Sequence, residues 1–208
     1  MPFRCFAYGS NMFTRKMRVP APSATFVAIG RIPGYVLRFN KKSDDGSGKG
    51  NIVRTGNAAD EVWGVIFEIS DVERSTLDES EGGYAPTGVE VLTETRTIPS
   101  VTYIAKSGRI DDSRKAYAWY KEFVVRGAQE HGLPSDYVAR LAAVEVVSDP
   151  DPARDAKRRE LLGSLTQAED LNSVDSVGHG RDRSRASSRD ATDKARPSTP
   201  RRARSRKP

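Results

Sequence analysis

The sequence predicts an α/β domain of mixed, α+β character, with about six strands and two or three helices, followed by a disordered basic tail. Three observations carry this. Every Phe, Tyr and Trp of the 208 residues stands at or before Tyr137, so the material for a core is confined to the first part of the chain. Within that part, β-branched and aromatic runs alternate with turn signals, and one long segment switches to helical period. Residues 181–208, by contrast, sum to a charge of +8 against −2 for the rest, and hold no apolar side chain larger than Ala. Such a segment buries too little surface to offset its ordering entropy. With Asp149-Pro150-Asp151-Pro152 as the break, the domain is expected over 1–148 and the Pro/Ser/Arg-rich tail over 149–208.

Phe3–Tyr8 reads as the first strand and ends at Gly9-Ser10-Asn11. Ala24–Ile29 and Tyr35–Phe39 are further strands, split by the turn-like Ile32-Pro33-Gly34, and Asn40–Gly50 reads as a polar surface loop. Val62–Ile69, Val89–Thr95 and Val101–Ala105 complete the strands. Ser70 and Glu73 have capping-box spacing, so a short helix should run from there to Glu79 and stop at Gly82-Gly83. A longer helix is expected over Asp112–Glu130, because Ala116, Trp119, Tyr120, Phe123, Val124 and Gly127 fall on one stripe. Gly132 and Pro134 close it. Ser135 then caps a third helix carrying Tyr137, Leu141 and Val144, and Arg154–Leu165 reads as a marginal one.

Composition excludes several chemistries. A single cysteine, Cys5, forbids an internal disulfide and a cysteine-rich zinc site. The two histidines stand apart, and His131, at a helix end, reads as a cation near the negative pole of the dipole. No metal and no cofactor is therefore expected. Ser43 stands where a phosphate loop needs its first Gly, and Gly50 where it needs Ser or Thr after Lys49, so Gly46–Gly50 is not one. No apolar run reaches the roughly 18–20 residues that span a bilayer, and the first residues do not resemble a signal peptide, so no membrane association and a cytoplasmic location are expected. The tail has two readings: a weak, non-specific polyanion contact, or a solubilising extension. Without aromatics it cannot stack bases.

Two segments carry candidate chemistry. In Ala7-Tyr8-Gly9-Ser10-Asn11 the glycine allows a sharp turn, and the following amides can converge on a carboxylate or oxyanion. In Leu77-Asp78-Glu79-Ser80-Glu81-Gly82 carboxylates stand at a helix C-terminus, where the dipole opposes them and raises a carboxyl pKa. Glu79 and Glu81 are alternatives there, two residues apart and so on different helix faces.

These segments, in order and in register, resemble the γ-glutamylcyclotransferase family. Phe6–Asn11 is similar to its Phe-Ala-Tyr-Gly-Ser-Asn opening and Glu61–Val65 to its Glu-Val-Trp-Gly-Val strand. Leu77–Gly82 matches its Leu-Asp-x-x-Glu-Gly helix end, and Gly127–Pro134, with Tyr137 following, its Gly-Ala-x-Glu-x-Gly-Leu-Pro segment. The resemblance runs from about Phe3 to Val144 and implies a mixed sheet or partial barrel. It also implies a reaction in which the α-amino nitrogen of a γ-glutamyl amino acid attacks its own γ-carbonyl, giving 5-oxoproline and the free amino acid without cofactor or protein nucleophile. By the same resemblance Glu81 is the general acid/base, and Cys5, Phe6, Ala7, Tyr8, Gly9, Ser10 and Asn11 hold the γ-glutamyl group. Tyr120 contacts substrate, although its place in the apolar stripe equally makes it a core residue; Tyr84 and Tyr103 are weaker candidates. Gly82-Gly83-Tyr84 is more compact than the family form. The leaving group (amino acid, amine or cysteinyl-glycine) and the oligomeric state, monomer or homodimer, stay open. The alternatives are a relative acting on another γ-glutamyl amine, or a catalytically silent ligand-binding relative with a polyanion-binding tail.

Overall fold

The computed structural model describes residues 1–160 and 162–163. Strand β1 is Phe3–Ala7, followed by a 3-10 turn at Ser10–Met12 and one turn of helix, α1, at Thr14–Met17. Strands β2 (Thr25–Pro33), β3 (Tyr35–Lys42), β4 (Gly48–Arg54) and β5 (Glu61–Ile69) come next. Helix α2 (Arg74–Ser80) leads to β6 (Tyr84–Leu92) and β7 (Thr97–Ala105), then to the short β8 (Ala116–Tyr117). Helices α3 (Ala118–Glu130) and α4 (Ser135–Ala142) and the short β9 (Val146–Val147) follow, and residues 152–160 form α5.

Five strands close a barrel in the order β1-β5-β2-β6-β7. β5 is flanked antiparallel by β1, with Cys5 opposite Phe67, and by β2, with Gly30 opposite Gly64. β7 closes the ring by running parallel to β1 at Cys5 and Val101. Every barrel strand contributes to one buried cluster, Phe6, Ile32, Val62, Ile66, Val91 and Ile98 among its members, which is the barrel interior. The other faces of β1 and β5, through Cys5, Ala7, Val65 and Phe67, pack with Met12, Phe13 and Met17 and with the α3 stripe Trp119, Tyr120, Phe123 and Val124. That stripe is therefore core, as its period requires. Among the described residues no helix is long and apolar enough to cross a membrane.

Several expectations are corrected. The Ser70–Glu73 capping box does not form: Ser70 makes no side-chain cap, and the Glu73 carboxylate accepts instead from the amide and hydroxyl of Ser23. Ser135 begins α4 rather than capping it, with Pro134 at the N-cap. The stretch expected as a surface loop holds the turn of the β3–β4 hairpin and the strand ends beside it, with Ser47 and Gly48 buried. β6 starts five residues earlier than expected, at Tyr84, and α3 starts at Ala118. His131 caps α3, but burial against Phe26 and Phe67 lowers its pKa, which favours the neutral imidazole over the expected cation.

The boundary after residue 148 also moves. The Asp149 carboxylate, fully buried, accepts from Trp119 Nε1 at 2.8 Å and from Arg154 Nε at 2.7 Å, so the Arg154 guanidinium holds its pKa far below the usual range. Leu162 is buried in the α3 cluster. The segment from Asp149 onward is thus tied to the domain by the Trp119–Asp149 hydrogen bond and by Leu162, while the Asp149–Arg154 pair lies within the segment itself. The tail expected to be disordered, from residue 164 on, lies outside the described residues.

Candidate active site

A cavity of about 780 Å³ opens where the end of β1, the turn after it, the end of α2, the β3–β4 hairpin and α3 meet. Cys5, Phe6, Ala7, Tyr8, Gly9, Ser10, Asn11, Glu81 and Tyr120 all line it, so the residues that the sequence separated by 70 and 110 positions face one space. Tyr84 and Tyr103 line it too. Cys5 is buried and its thiol is pushed far up by burial, so it stays protonated and inert.

Glu81 is the C-cap of α2; its amide still bonds the Leu77 carbonyl at 3.1 Å, but its backbone has left the helix. Gly83, at φ +87°, then reverses the chain into β6, a conformation that side chains rarely adopt. This break turns Glu81 into the cavity, whereas Glu79 stays exposed on α2. The Glu81 carboxylate accepts from Asn11 Nδ2 at 2.5 Å, and Asn11 Oδ1 accepts from Lys16 Nζ at 2.6 Å. Burial raises the Glu81 pKa; Lys16, the Asn11 bond and Lys41 pull against it. Such a carboxylate is poised to take a proton and to return it.

Tyr120 is a buried core residue that also lines the cavity. Its ring packs edge-on to Phe39 in the core, while its hydroxyl accepts from the Gly50 amide at 2.9 Å, and nearby Ser10 partly offsets the rise in pKa that burial gives it. A Cβ on Gly9 would lie 3.3 Å from this hydroxyl and one on Gly50 3.2 Å, so both glycines let the two turns close on it. The Tyr84 hydroxyl donates to the Gly50 carbonyl at 2.7 Å, and that of Tyr103 to Asp78 at 2.6 Å.

Sequence reasoning missed the basic wall. Lys16, Lys41, Lys49 and Arg158 line the cavity, with Asp45 beside them. Burial lowers the pKa of all three lysines. The nearest signal was the discarded phosphate-loop likeness around Lys49; Lys16 and Arg158 carried none. Among the described residues no group of three or more His, Cys, Asp or Glu is placed to hold a metal ion.

A γ-glutamylcyclotransferase of Mus musculus is 34% identical over 151 residues, spanning 69% of this chain and 79% of its own length. The chain belongs to the γ-glutamylcyclotransferase family. A γ-glutamylcyclotransferase of Homo sapiens is 32% identical over 155 residues with the same coverage. Residues 61–141 match the AIG2-like family. A solved γ-glutamyl cyclotransferase structure superposes with a TM-score of 0.68 at 27% identity, covering 77% of this chain and 99% of that one. The barrel with its few helices is thus the fold of that family, as the sequence led one to expect.

Proposed function

We propose that this chain is a γ-glutamylcyclotransferase that converts a γ-glutamyl amino acid into 5-oxoproline and the free amino acid, with Glu81 as the general acid/base. The observation that carries the assignment is the Glu81 carboxylate itself: half-buried in the cavity wall, raised in pKa, and fixed by Asn11 of the turn after β1. In the first step Glu81 takes a proton from the substrate α-ammonium. The freed nitrogen attacks the γ-carbonyl and closes a five-membered ring. Glu81 then returns the proton to the departing nitrogen as the amide C–N bond breaks, and the second proton that the ring nitrogen sheds passes through the same carboxylate to the released amine, which leaves as an ammonium. Atoms balance with no co-reactant, and one carboxylate serves both transfers.

The remaining residues supply orientation. Folding the substrate into a ring demands a pocket of fixed shape, and the turn at Tyr8–Asn11, set against the Tyr120 hydroxyl, gives a rigid floor for the γ-glutamyl group. Lys16 and Lys41 flank Glu81 and suit the α-carboxylate that travels with the attacking nitrogen. A cytoplasmic setting, with a part in the turnover of γ-glutamyl peptides such as glutathione, belongs to the same reading. The test is incubation of the purified chain with γ-glutamyl-alanine: release of 5-oxoproline and alanine in equal amounts is expected, and release of glutamate instead would mean hydrolysis and refute it.

A further inference from the structure

Four cations line the cavity, and the reaction accounts for two. On the cyclotransferase reading, the attacking nitrogen and the α-carboxylate of the glutamyl group share one carbon, so that carboxylate lies beside Glu81. Lys16 donates to Asn11, which donates in turn to Glu81, and the charges of Lys16 and Lys41 act on the Glu81 carboxylate. Lys41, over the Tyr84 ring at 4.9 Å, makes no hydrogen bond among the described residues and keeps its donors for a ligand.

Lys49 and Arg158 form a separate group on one indole. Lys49 Nζ stands 4.1 Å from the Trp119 ring centre and 4.7 Å from that of Tyr120, with its side chain 14% exposed. Asp45 takes one of its three donors at 2.7 Å, which leaves two. Asp45 is itself committed to Ser47 through amide and hydroxyl. Arg158, projecting from α5, places its guanidinium 5.3 Å from the same Trp119 ring at the rim of the cavity. The two cations share one indole, and of the pair only Lys49 has a carboxylate partner among the described residues, which leaves a positive excess facing the space. The aromatic faces hold these cations in place without consuming their hydrogen-bond donors.

We propose that Lys49 and Arg158 form the subsite that binds the carboxylate of the leaving amino acid, so that this chain discriminates γ-glutamyl amino acids from γ-glutamyl alkylamines. The glutamyl end is common to both substrate classes, and only the leaving end differs by an anion. Lys49 is the inner contact, half-buried and positioned by Asp45. Arg158 is the outer one and is supplied by a segment beyond the part of the chain that the sequence marks as the domain.

The experiment compares kcat/KM for γ-glutamyl-alanine and γ-glutamyl-ethylamide, which differ only by that carboxylate. The unaltered chain should favour the alanine substrate by about tenfold or more, as charge-assisted hydrogen bonds allow. Lys49→Met and Arg158→Met should each cut that ratio several-fold, and Lys49→Arg should keep most of it. Equal losses on both substrates in Lys49→Met would place Lys49 at the glutamyl end or in the fold and overturn the proposal. No preference in the unaltered chain, or an undiminished preference in both Met variants, would also overturn it; Arg158 is exposed, so its variant guards against misfolding. Should neither substrate yield 5-oxoproline, the cyclotransferase reading itself falls, a result distinct from lost discrimination.

Discussion

Replacing Glu81 by Gln removes one proton acceptor and little else. The amide oxygen of Gln still accepts from Asn11 Nδ2, now 2.5 Å from the carboxylate, so the Lys16–Asn11 chain keeps its geometry. The loss is therefore chemical. General acid–base groups contribute about 10²–10⁴-fold, which corresponds to roughly 2.7–5.4 kcal/mol of barrier. Substrate binding should suffer far less, because Lys16 and Lys41 lose a competing anion and remain available to the α-carboxylate. Stability should stay close to that of the unaltered chain: the charge removed was paying a desolvation cost, set against its attraction to two lysines. Steady-state release of 5-oxoproline, with thermal melting as control, should show kcat lowered by about 10²-fold or more and KM nearly unchanged. The pH profile adds a second readout. The base works only when ionised, so activity of the unaltered chain falls as pH drops through the Glu81 pKa, above the ordinary carboxylate range, and the Gln variant lacks this limb. Turnover within about tenfold of the original would take Glu81 out of the proton transfers.

Tyr120→Phe removes the hydroxyl that accepts from Gly50 and faces the turn at Gly9 while sparing the ring; KM for γ-glutamyl-alanine should rise several-fold with a smaller change in kcat, read by steady-state kinetics. A chain ended after residue 148 loses the Asp149–Arg154 pair, the Leu162 anchor and Arg158, and should melt several degrees lower with a reduced preference for γ-glutamyl-alanine; calorimetry and the two-substrate ratio check both. Burial sets the Lys49 pKa at about 8, with Asp45 opposing the shift and Arg158 and Lys16 adding to it. The protonated lysine is the binding form, so the alanine-over-ethylamide ratio should hold below pH 8 and fall as pH rises through that value, and a ratio flat to pH 9.5 would count against the assignment.

The barrel strands were legible because they state their burial in their own residues. Glu61–Ile69 is almost continuous apolar sequence, and Phe3–Ala7 carries the turn residues directly after it. Glu81 was legible for a different reason: an acid placed against a helix dipole and followed by two glycines is a locally poor choice, and such choices mark sites. The β4 strand was not legible, since Gly48-Lys49-Gly50-Asn51 is polar and glycine-rich, and its burial comes from close contact with parts of the chain far off in sequence. A marginal helix was legible over Arg154–Leu165, where α5 lies, but its attachment to the domain was not. It has no apolar stripe and attaches through arginines laid on aromatic rings, Arg154 over Tyr117 at 5.6 Å and Arg158 over Trp119 at 5.3 Å. Composition counts those arginines as solvated charge, while the structure uses their flat guanidinium groups as packing surface.

That difference explains why the basic wall of the site escaped a reading by motif. Lys16, Lys41, Lys49 and Arg158 come from four separate elements, and each is an ordinary surface residue in its own neighbourhood. Their meaning arises only once the fold gathers them around a space that holds fewer acids than bases. Burial lowers the pKa of each lysine and raises that of Glu81, so these four groups are each held in a charged state that their burial disfavours. A stable fold has no use for such an arrangement, since apolar residues of equal volume would be cheaper. A substrate carrying an ammonium for Glu81 and one carboxylate for each cationic group resolves it, and a γ-glutamyl amino acid has that pattern of charge.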